Sequence, residues 1–151
     1  MRALVQRVSS AGVKVEEANY KSVIGAGMLI LLGVKTGDRE DDVIFVADKC
    51  SNLRIFEDAE GKMNLSLKDT GGEVLVISQF TLYGETAKGN RPNFTMAARP
   101  EEASRLYELF IERMKFNLGG ERVKSGIFAA MMDVSLVNAG PVTVMVESKE
   151  K

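Results

Sequence analysis

The stretch Val74–Tyr83 constrains the fold of this chain more than any other. Its first half, Val74–Ile77, is a short aliphatic and β-branched run that follows two glycines, which is typical of a strand buried on both faces. Its second half mixes polar and apolar side chains, and in an extended chain Gln79, Thr81 and Tyr83 would share one face. An unpaired buried polar group costs about 1–3 kcal/mol. The polar groups therefore either find hydrogen-bond partners within a structural strand end or face a functional cavity.

The chain contains no histidine and a single cysteine, Cys50. It therefore lacks the usual general base, the Ser-His-Asp and Cys-His arrangements and the commonest metal ligand. A zinc site of the usual type has too few ligands, and no disulfide can form within the chain. We expect neither a metal nor a cofactor, and chemistry performed by hydroxyls, carboxylates, lysine, backbone amides or the substrate.

A length of 151 residues suits one domain, and we expect it to span residues 1–148 with a short charged tail at 149–151. Twenty basic and 21 acidic residues give a net charge of −1. Contact with nucleic acid would then depend on a local basic patch. Because the N-terminus does not read as a signal peptide and the longest apolar run, 26–34, is too short for a bilayer, we expect a cytoplasmic protein without a membrane partner.

Apolar patterns predict two main helices and several β-strands. Helix one should begin at Asp38, a good N-cap, and bury Cys50 as an inert core thiol. Helix two should have Pro100 at its first position and stop at Gly119. Besides the central strand, the predicted strands span residues 2–8, 13–17, 20–24, 28–34, 131–137 and 142–147.

The connection 84–99 is long for a compact domain, which is typical of a functional loop. It contains the cations Lys88, Arg91 and Arg99, with Phe94 among them. Near a polar strand end, these cations would suit phosphate, but scattered cations also occur on ordinary solvated surface.

A second stretch, Asn138–Thr143, reads most simply as a hairpin turn, because Asn and Gly tolerate left-handed backbone and Pro lacks a donor. Together, however, Ser-Gln-Phe-Thr-Leu at 78–82 and Asn-x-Gly-Pro-Val-Thr at 138–143 resemble the D-aminoacyl-tRNA deacylases. The resemblance covers nearly the whole chain. It extends to Arg2–Val8, Leu31–Val34, Arg54–Phe56, Gly61–Asn64, Arg91–Phe94, Phe128–Ala130, Met132 and Val134–Asn138. It departs at Met131, where an aspartate is expected, and at Ala139, where an acidic residue is common.

The resemblance implies a small α+β fold with mixed or antiparallel sheet layers and two main helices. It also implies a homodimer whose active sites lie at the subunit interface. Gln79, Phe80 and Thr81 are the expected catalytic residues. Ser78, together with a cis Gly140–Pro141 pair inserted by the partner subunit, is expected to bind substrate, and Lys88, Arg91 and Arg99 are the candidate tRNA contacts. The implied reaction is hydrolysis of the ester bond of D-aminoacyl-tRNA at its 3′-terminal aminoacyl-adenosine, which removes D-amino acids during translation.

The missing histidine agrees with this chemistry, because an aminoacyl ester is already activated. Backbone N–H groups near Phe80 and Thr81 would stabilise the oxyanion, each worth about 2.7–4 kcal/mol. We favour attack by a water that the 2′-hydroxyl of the terminal adenosine helps to orient. The Thr81 hydroxyl is the alternative nucleophile, although no histidine or N-terminal amine is expected nearby to activate it.

A cis Gly140–Pro141 bond would direct its two flanking carbonyls to one side, where they would accept hydrogen bonds from the substrate ammonium. An L side chain would then strike this backbone, whereas a D side chain would point outward. Rejection of this kind does not read side-chain identity. Glycine has no side chain to strike this backbone, so some glycyl-tRNA hydrolysis, including glycine mischarged on tRNA-Ala, is expected.

Two rival functions use the same residues. A non-catalytic RNA-binding β module would hold an RNA 3′ end in the same pocket, but such binders usually rely on basic and stacking surfaces that are sparse here. A threonine-dependent peptidase or amidase would need more activation than these side chains provide.

Overall fold

The computed structural model describes residues 1–149, so the last two residues of the predicted charged tail, 150 and 151, lie outside the described part. Most strands form one mixed six-stranded sheet, and two short strands, β4 and β5, pair separately. The strands are β1 Arg2–Val15, β2 Tyr20–Ile24, β3 Gly27–Gly33, β4 Phe56–Glu57, β5 Met63–Leu65, β6 Glu73–Ser78, β7 Val123–Ser125 and β8 Asp133–Glu147. The helices are α1 Glu40–Asn52, α2 Leu67–Thr70 and α3 Pro100–Leu118.

The large sheet has the order β2-β1-β3-β6-β7, and β8 pairs with β1. Strand β1 is antiparallel to β2, β3 and β8, while β6 runs parallel to both β3 and β7. The predicted α+β class and mixed sheet are therefore confirmed. Within residues 1–149, no helix is long and apolar enough to cross a membrane.

The central strand β6 is buried on both faces, as its sequence predicts. Val74 and Val76 face a core formed with the helices, whereas Leu75 and Ile77 face a second core on the other side of the sheet. All four side chains are at most 2 % exposed. A strand between two parallel neighbours with apolar layers above and below has no solvent face, which explains why it lacks strict alternation.

Helices α1 and α3 cover one face of the sheet. The predicted end signals of α3 are confirmed, with Pro100 at its first position and Gly119 after its last residue. The predicted N-cap of α1 is wrong. Asp38 instead accepts hydrogen bonds from the Met1 ammonium and the Lys35 N–H, both at 2.7 Å. The helix begins one residue after Arg39, whose N–H donates to the Asp42 carboxylate.

Two predicted strand ends are wrong. The sequence predicts that one strand ends at residue 8 and another at residue 137, but β1 and β8 each continue through these positions. Residues 9–12 lie within β1, and the register of β1 with β8 shifts between Gln6 and Val8 and again between Val8 and Ser10. In β8 no hairpin forms at 138–141, and both of its halves pair with β1. The extra residues are absorbed as bulges, which bend a strand without ending it. Thr143 pairs with Gln6 and Asn138 with Val8, so residues 139–142 form a bulge opposite Arg7 alone.

Candidate active site

The site begins where β6 ends. Gln79 is the first residue beyond the strand, and its N–H donates to the Leu32 carbonyl at 2.8 Å. Residues Phe80–Tyr83 then form a single 3₁₀ turn, called here the site turn. The extended chain considered over 78–83 is therefore wrong. Neighbouring strand β3 ends at Gly33, so the ladder that would keep this segment extended stops at the same level.

The turn rearranges the polar side chains of the motif. The Gln79 side-chain amide donates to the Thr81 hydroxyl, a pairing across the turn that differs from two neighbours on one strand face. Phe80 is 57 % exposed, and its ring contacts Phe94 edge-on at a centroid distance of 5.2 Å. The motif thus presents a hydrogen-bonded Gln–Thr pair beside an aromatic ring, all at the surface.

The main-chain N–H groups of Phe80 and Thr81 are the first two of the site turn. The first N–H groups of a helical turn have no acceptor within the turn itself. Both residues are exposed at the protein surface. Their N–H groups are the ones that the sequence indicates as oxyanion donors.

An apolar cavity of about 260 Å³ opens beside the turn. Ser78 and Gln79 form its polar edge, next to Phe80. The remaining lining residues are Leu32, Val34, Ala98, Pro100, Ala103, Tyr107, Phe128 and Ala129. A mostly apolar cavity with few polar groups at one edge is typical of a small-molecule site.

Tyr107 is a structural wall of this cavity. Its hydroxyl donates to the Val76 carbonyl at 3.0 Å, and its ring lies 5.8 Å from that of Phe128. Burial raises the pKa of Tyr107 well above its usual range. The phenol therefore stays protonated at neutral pH.

The wall at Phe128 and Ala129 could not be assigned from the sequence, although Phe128–Ala130 appeared in the family resemblance. Ala129 has a φ of 62°, a left-handed conformation uncommon outside glycine. A turn from Ile127 to Ala130, closed by a 3.2 Å hydrogen bond, accompanies it. Unusual backbone of this kind is enriched at binding sites, but only the structure reveals it.

The loop after the turn brings two of its three cations together. Glu85 and Asn93 pair through two backbone hydrogen bonds of 2.7 and 2.9 Å, and Lys88 and Arg91 line an open cavity between them. Arg99 lies apart, at the N-cap of α3. Two of the candidate tRNA contacts therefore share one surface.

Gly140 and Pro141 lie outside the cavity lining of their own chain. Their peptide bond is cis, as the family resemblance leads us to expect. Both residues are exposed in the β8 bulge. Arg7 supports the bulge by donating to the carbonyls of Ala139 and Ile55, each at 2.8 Å.

The single cysteine does not belong to the site. Cys50 lies on the buried face of α1 and is fully buried in the core, which confirms the prediction of a core thiol. Burial raises the pKa of Cys50 to about 12, so it is not a nucleophile at neutral pH. Among residues 1–149, no three His, Cys, Asp or Glu side chains group as a metal site.

Comparison with known proteins agrees with the resemblance seen in the motifs. The family model described as D-Tyr-tRNA(Tyr) deacylase matches residues 4–147. A D-aminoacyl-tRNA deacylase from Bacillus velezensis is 53 % identical over 150 residues, covering 99 % of this chain and all of the relative. The D-aminoacyl-tRNA deacylase of Desulfatibacillum aliphaticivorans is 58 % identical over 151 residues, again covering 99 % of this chain and all of the relative.

Solved structures share the fold over nearly the whole length. One described as a c-Myc DNA unwinding element binding protein has a TM-score of 0.93 and 39 % identity, covering 99 % of this chain and all of that one. A second, described as a probable eukaryotic D-amino acid tRNA deacylase, has a TM-score of 0.82 at 17 % identity, covering 97 % of this chain and 98 % of that one. The second likeness concerns the fold alone.

Proposed function

The chain belongs to the D-Tyr-tRNA(Tyr) deacylase family, and we propose that it hydrolyses the ester bond of D-aminoacyl-tRNA at the site turn. The observation that carries the proposal is the apolar cavity beside Ser78, Gln79 and Phe80. The cavity is lined by Phe80, whose N–H is one of the two proposed oxyanion donors of the turn, and the Thr81 N–H follows it in the chain. The N–H groups of the turn would then bind the oxyanion, and the cavity would bind a ring system of the substrate.

The cavity is proposed to take the terminal adenosine of the tRNA. Its walls are aliphatic and aromatic, with Tyr107 and Phe128 in contact with each other, and purine rings bind well against such surfaces. With the adenosine in the cavity, its 2′- and 3′-hydroxyls would lie at the polar edge formed by Ser78 and Gln79. The ester on the 3′ side then faces the site turn.

Stabilisation of the developing oxyanion is the proposed main catalytic effect. The N–H groups of Phe80 and Thr81 donate to the oxyanion, an effect worth about 2.7–4 kcal/mol per donor. The Gln79 side-chain amide donates a hydrogen bond to the Thr81 hydroxyl oxygen, which accepts it. Amides are not bases, so this contact does not activate Thr81 as a nucleophile. Water, oriented by the substrate 2′-hydroxyl, is the proposed nucleophile.

Chirality selection is proposed to come from Gly140 and Pro141 of the partner subunit. Two observations support a second subunit. The bulge at 139–142 lies exposed, outside its own chain's cavity, and within residues 1–149 β8 pairs only with β1, which leaves its other edge open. Open strand edges are usually covered. Inserted next to the ester, the backbone of the pair would strike an L side chain but admit D-amino acids and glycine.

The tRNA body is proposed to meet Lys88 and Arg91 on the loop surface, with Arg99 as an additional contact. Each cation that neutralises a phosphate contributes to the salt dependence of binding. Because mischarged tRNA arises during translation, the proposed place of action is the cytoplasm.

The decisive experiment measures deacylation of matched D- and L-aminoacyl-tRNA, with glycyl-tRNA alongside. We expect fast release of D-amino acids, measurable release of glycine and negligible release of L-amino acids. Equal rates for D and L esters would contradict the proposed chirality filter. Tight binding of tRNA 3′ ends without any hydrolysis would instead indicate a non-catalytic RNA-binding module.

A further inference from the structure

Arg2 makes three contacts that converge on the site turn from outside the cavity. Its Nη1 donates to the Leu82 carbonyl at 2.8 Å, and its guanidinium carbon lies 4.5 Å from the centre of the Tyr83 ring. Its Nε donates to Glu147 at 2.7 Å. Only an arginine side chain presents a planar fork that bonds two acceptors while stacking on a ring. We infer that Arg2 is a positioning residue for the catalytic turn, an inference that rests on the proposed function.

The site turn also packs directly against Gly33. Arg2 and Gly33 are paired residues in the β1–β3 register. A Cβ added at Gly33 would come within 3.1 Å of Leu82 Cβ, 3.2 Å of the Gln79 carbonyl oxygen and 3.2 Å of the Tyr83 ring. The turn therefore occupies the space left by a missing side chain on β3, and the guanidinium of the paired residue on β1 closes over its end.

This arrangement controls the two N–H groups of Phe80 and Thr81. A four-residue turn has few internal bonds: the Leu82 N–H donates to Gln79 at 3.3 Å, and the Gly84 N–H donates to Thr81 at 2.9 Å. Both residues that carry the oxyanion donors are exposed, and the edge-on contact between Phe80 and Phe94 involves a side chain and not the peptide groups. Contacts from Arg2 at its far end therefore set the direction of its peptide groups. A displacement of about 1 Å in a catalytic group can cost about 100-fold in rate.

The ion pair with Glu147 alone does not explain this geometry. The two side chains are 30 % and 49 % exposed, and exposed ion pairs contribute about 0–1 kcal/mol to stability. By contrast, the bond to Leu82 and the stacking on Tyr83, which is 5 % exposed, bear directly on the turn. A purely structural role and a positioning role therefore predict different outcomes when Arg2 and Glu147 are changed separately.

The test compares Arg2→Met with two matched controls, Glu147→Gln and Arg105→Met. Glu147→Gln removes the ion pair but keeps the arginine on Leu82, and Arg105→Met removes an exposed arginine that pairs with Glu40 and Glu102. For Arg2→Met we expect kcat for D-aminoacyl-tRNA to fall about tenfold or more with KM within about twofold, and the controls to stay within about twofold of the unchanged protein. Millimolar guanidinium should partly restore kcat to Arg2→Ala.

A readout without substrate separates this inference from the proposed function. The amide resonances of Phe80 and Thr81 should shift in Arg2→Met and stay in place in Arg105→Met, whether or not the protein hydrolyses tRNA esters. Unshifted resonances, or an Arg2→Met kcat that falls only in proportion to the folded fraction, would overturn the inference. If Arg2→Met does not fold, Arg2→Lys takes its place, and an unchanged kcat there is equally contradictory.

Discussion

Arg7 Nε lies 2.8 Å from the carbonyl oxygen of Ala139, the residue that precedes Gly140. A second nitrogen of the same guanidinium bonds the Ile55 carbonyl at 2.8 Å. In the β1–β8 register four residues, 139–142, lie opposite Arg7 alone. The Arg7 side chain thus connects the exposed bulge of β8 to the segment after α1.

We expect Arg7→Met to lower deacylation of D-aminoacyl-tRNA and to narrow the difference between D and L esters. Hydrogen bonds from charged donors contribute about 1.5–3 kcal/mol, and their loss frees the segment proposed to exclude L side chains. Single-turnover rates on both esters provide the measurement. Arg54→Met, which removes an exposed arginine bonded to Asn64, is the matched control. An unchanged ratio of D to L rates in Arg7→Met would refute the prediction.

Thr81→Ala should retain activity within about tenfold of the unchanged protein, because the oxyanion donors belong to the backbone. The substitution removes the acceptor of the Gln79 amide but not the N–H of residue 81. Quenched reactions analysed by mass spectrometry provide a second check. An acyl ester trapped on Thr81 would establish covalent catalysis instead.

The active protein should be a dimer with twofold symmetry, because each cavity is proposed to need Gly140 and Pro141 from its neighbour. Light scattering at assay concentration should give twice the mass of one chain. Mixing Gly140→Ala chains with Phe80→Pro chains, which lack the N–H of residue 80, should restore activity in heterodimers that contain one intact site. Gly140 has a φ of 128°, and an added Cβ would lie 2.7 Å from Arg7 Nη2, so alanine disrupts the bulge locally. A fully active monomer would contradict the prediction.

Activity should persist after thorough chelation. The chain has no histidine, and its only cysteine lies in the core, so the soft ligands that bind transition metals tightly are missing. Rates measured after dialysis against a strong chelator should match untreated rates. Loss of activity that added zinc specifically restores would show the prediction to be wrong.

Asp48→Asn should destabilise the protein at pH 7 but not in acid. The hydrogen bond from Arg113, followed by that from Asn117, lowers the pKa of Asp48 below its usual value. A lowered folded-state pKa stabilises the fold above the unfolded pKa, and this contribution is lost as pH falls through the folded pKa. The pair is about one-third exposed, so solvent screening limits the expected loss to about 0.5–1 kcal/mol.

Denaturant unfolding at several pH values measures this difference. The difference in the free energy of unfolding between Asp48→Asn and the unchanged protein should shrink below about pH 4, where the Asp48 carboxyl of the unfolded state is protonated. Glu108→Gln, on an exposed position of α3, is the control. A gap that stays constant down to pH 2 would mean that the effect is not one of ionisation.

The sequence alone determined the parts of this protein whose causes are local. Helix α3 begins at Pro100 and ends before Gly119 as predicted, because capping preferences act over a few neighbouring residues. The aliphatic run 74–77 likewise marked the doubly buried strand. The polar motif at 78–81 was compatible with a hydrogen-bonded strand end and with a functional cavity, and only its resemblance to a known family made it the candidate site.

Tertiary structure decided the shape of the site. Whether residues 80–83 extend or turn depends on where β3 ends and on contacts from Arg2, which is far away in sequence. Likewise, serine and glycine at 9–12 and the Gly140–Pro141 pair are equally compatible with turns and with bulges. Pairing of β1 with β8 along both of its halves selects the bulges. The cavity joins residues from β3, β6, α3 and the Phe128 segment, and their proximity results from long-range packing that no local pattern records.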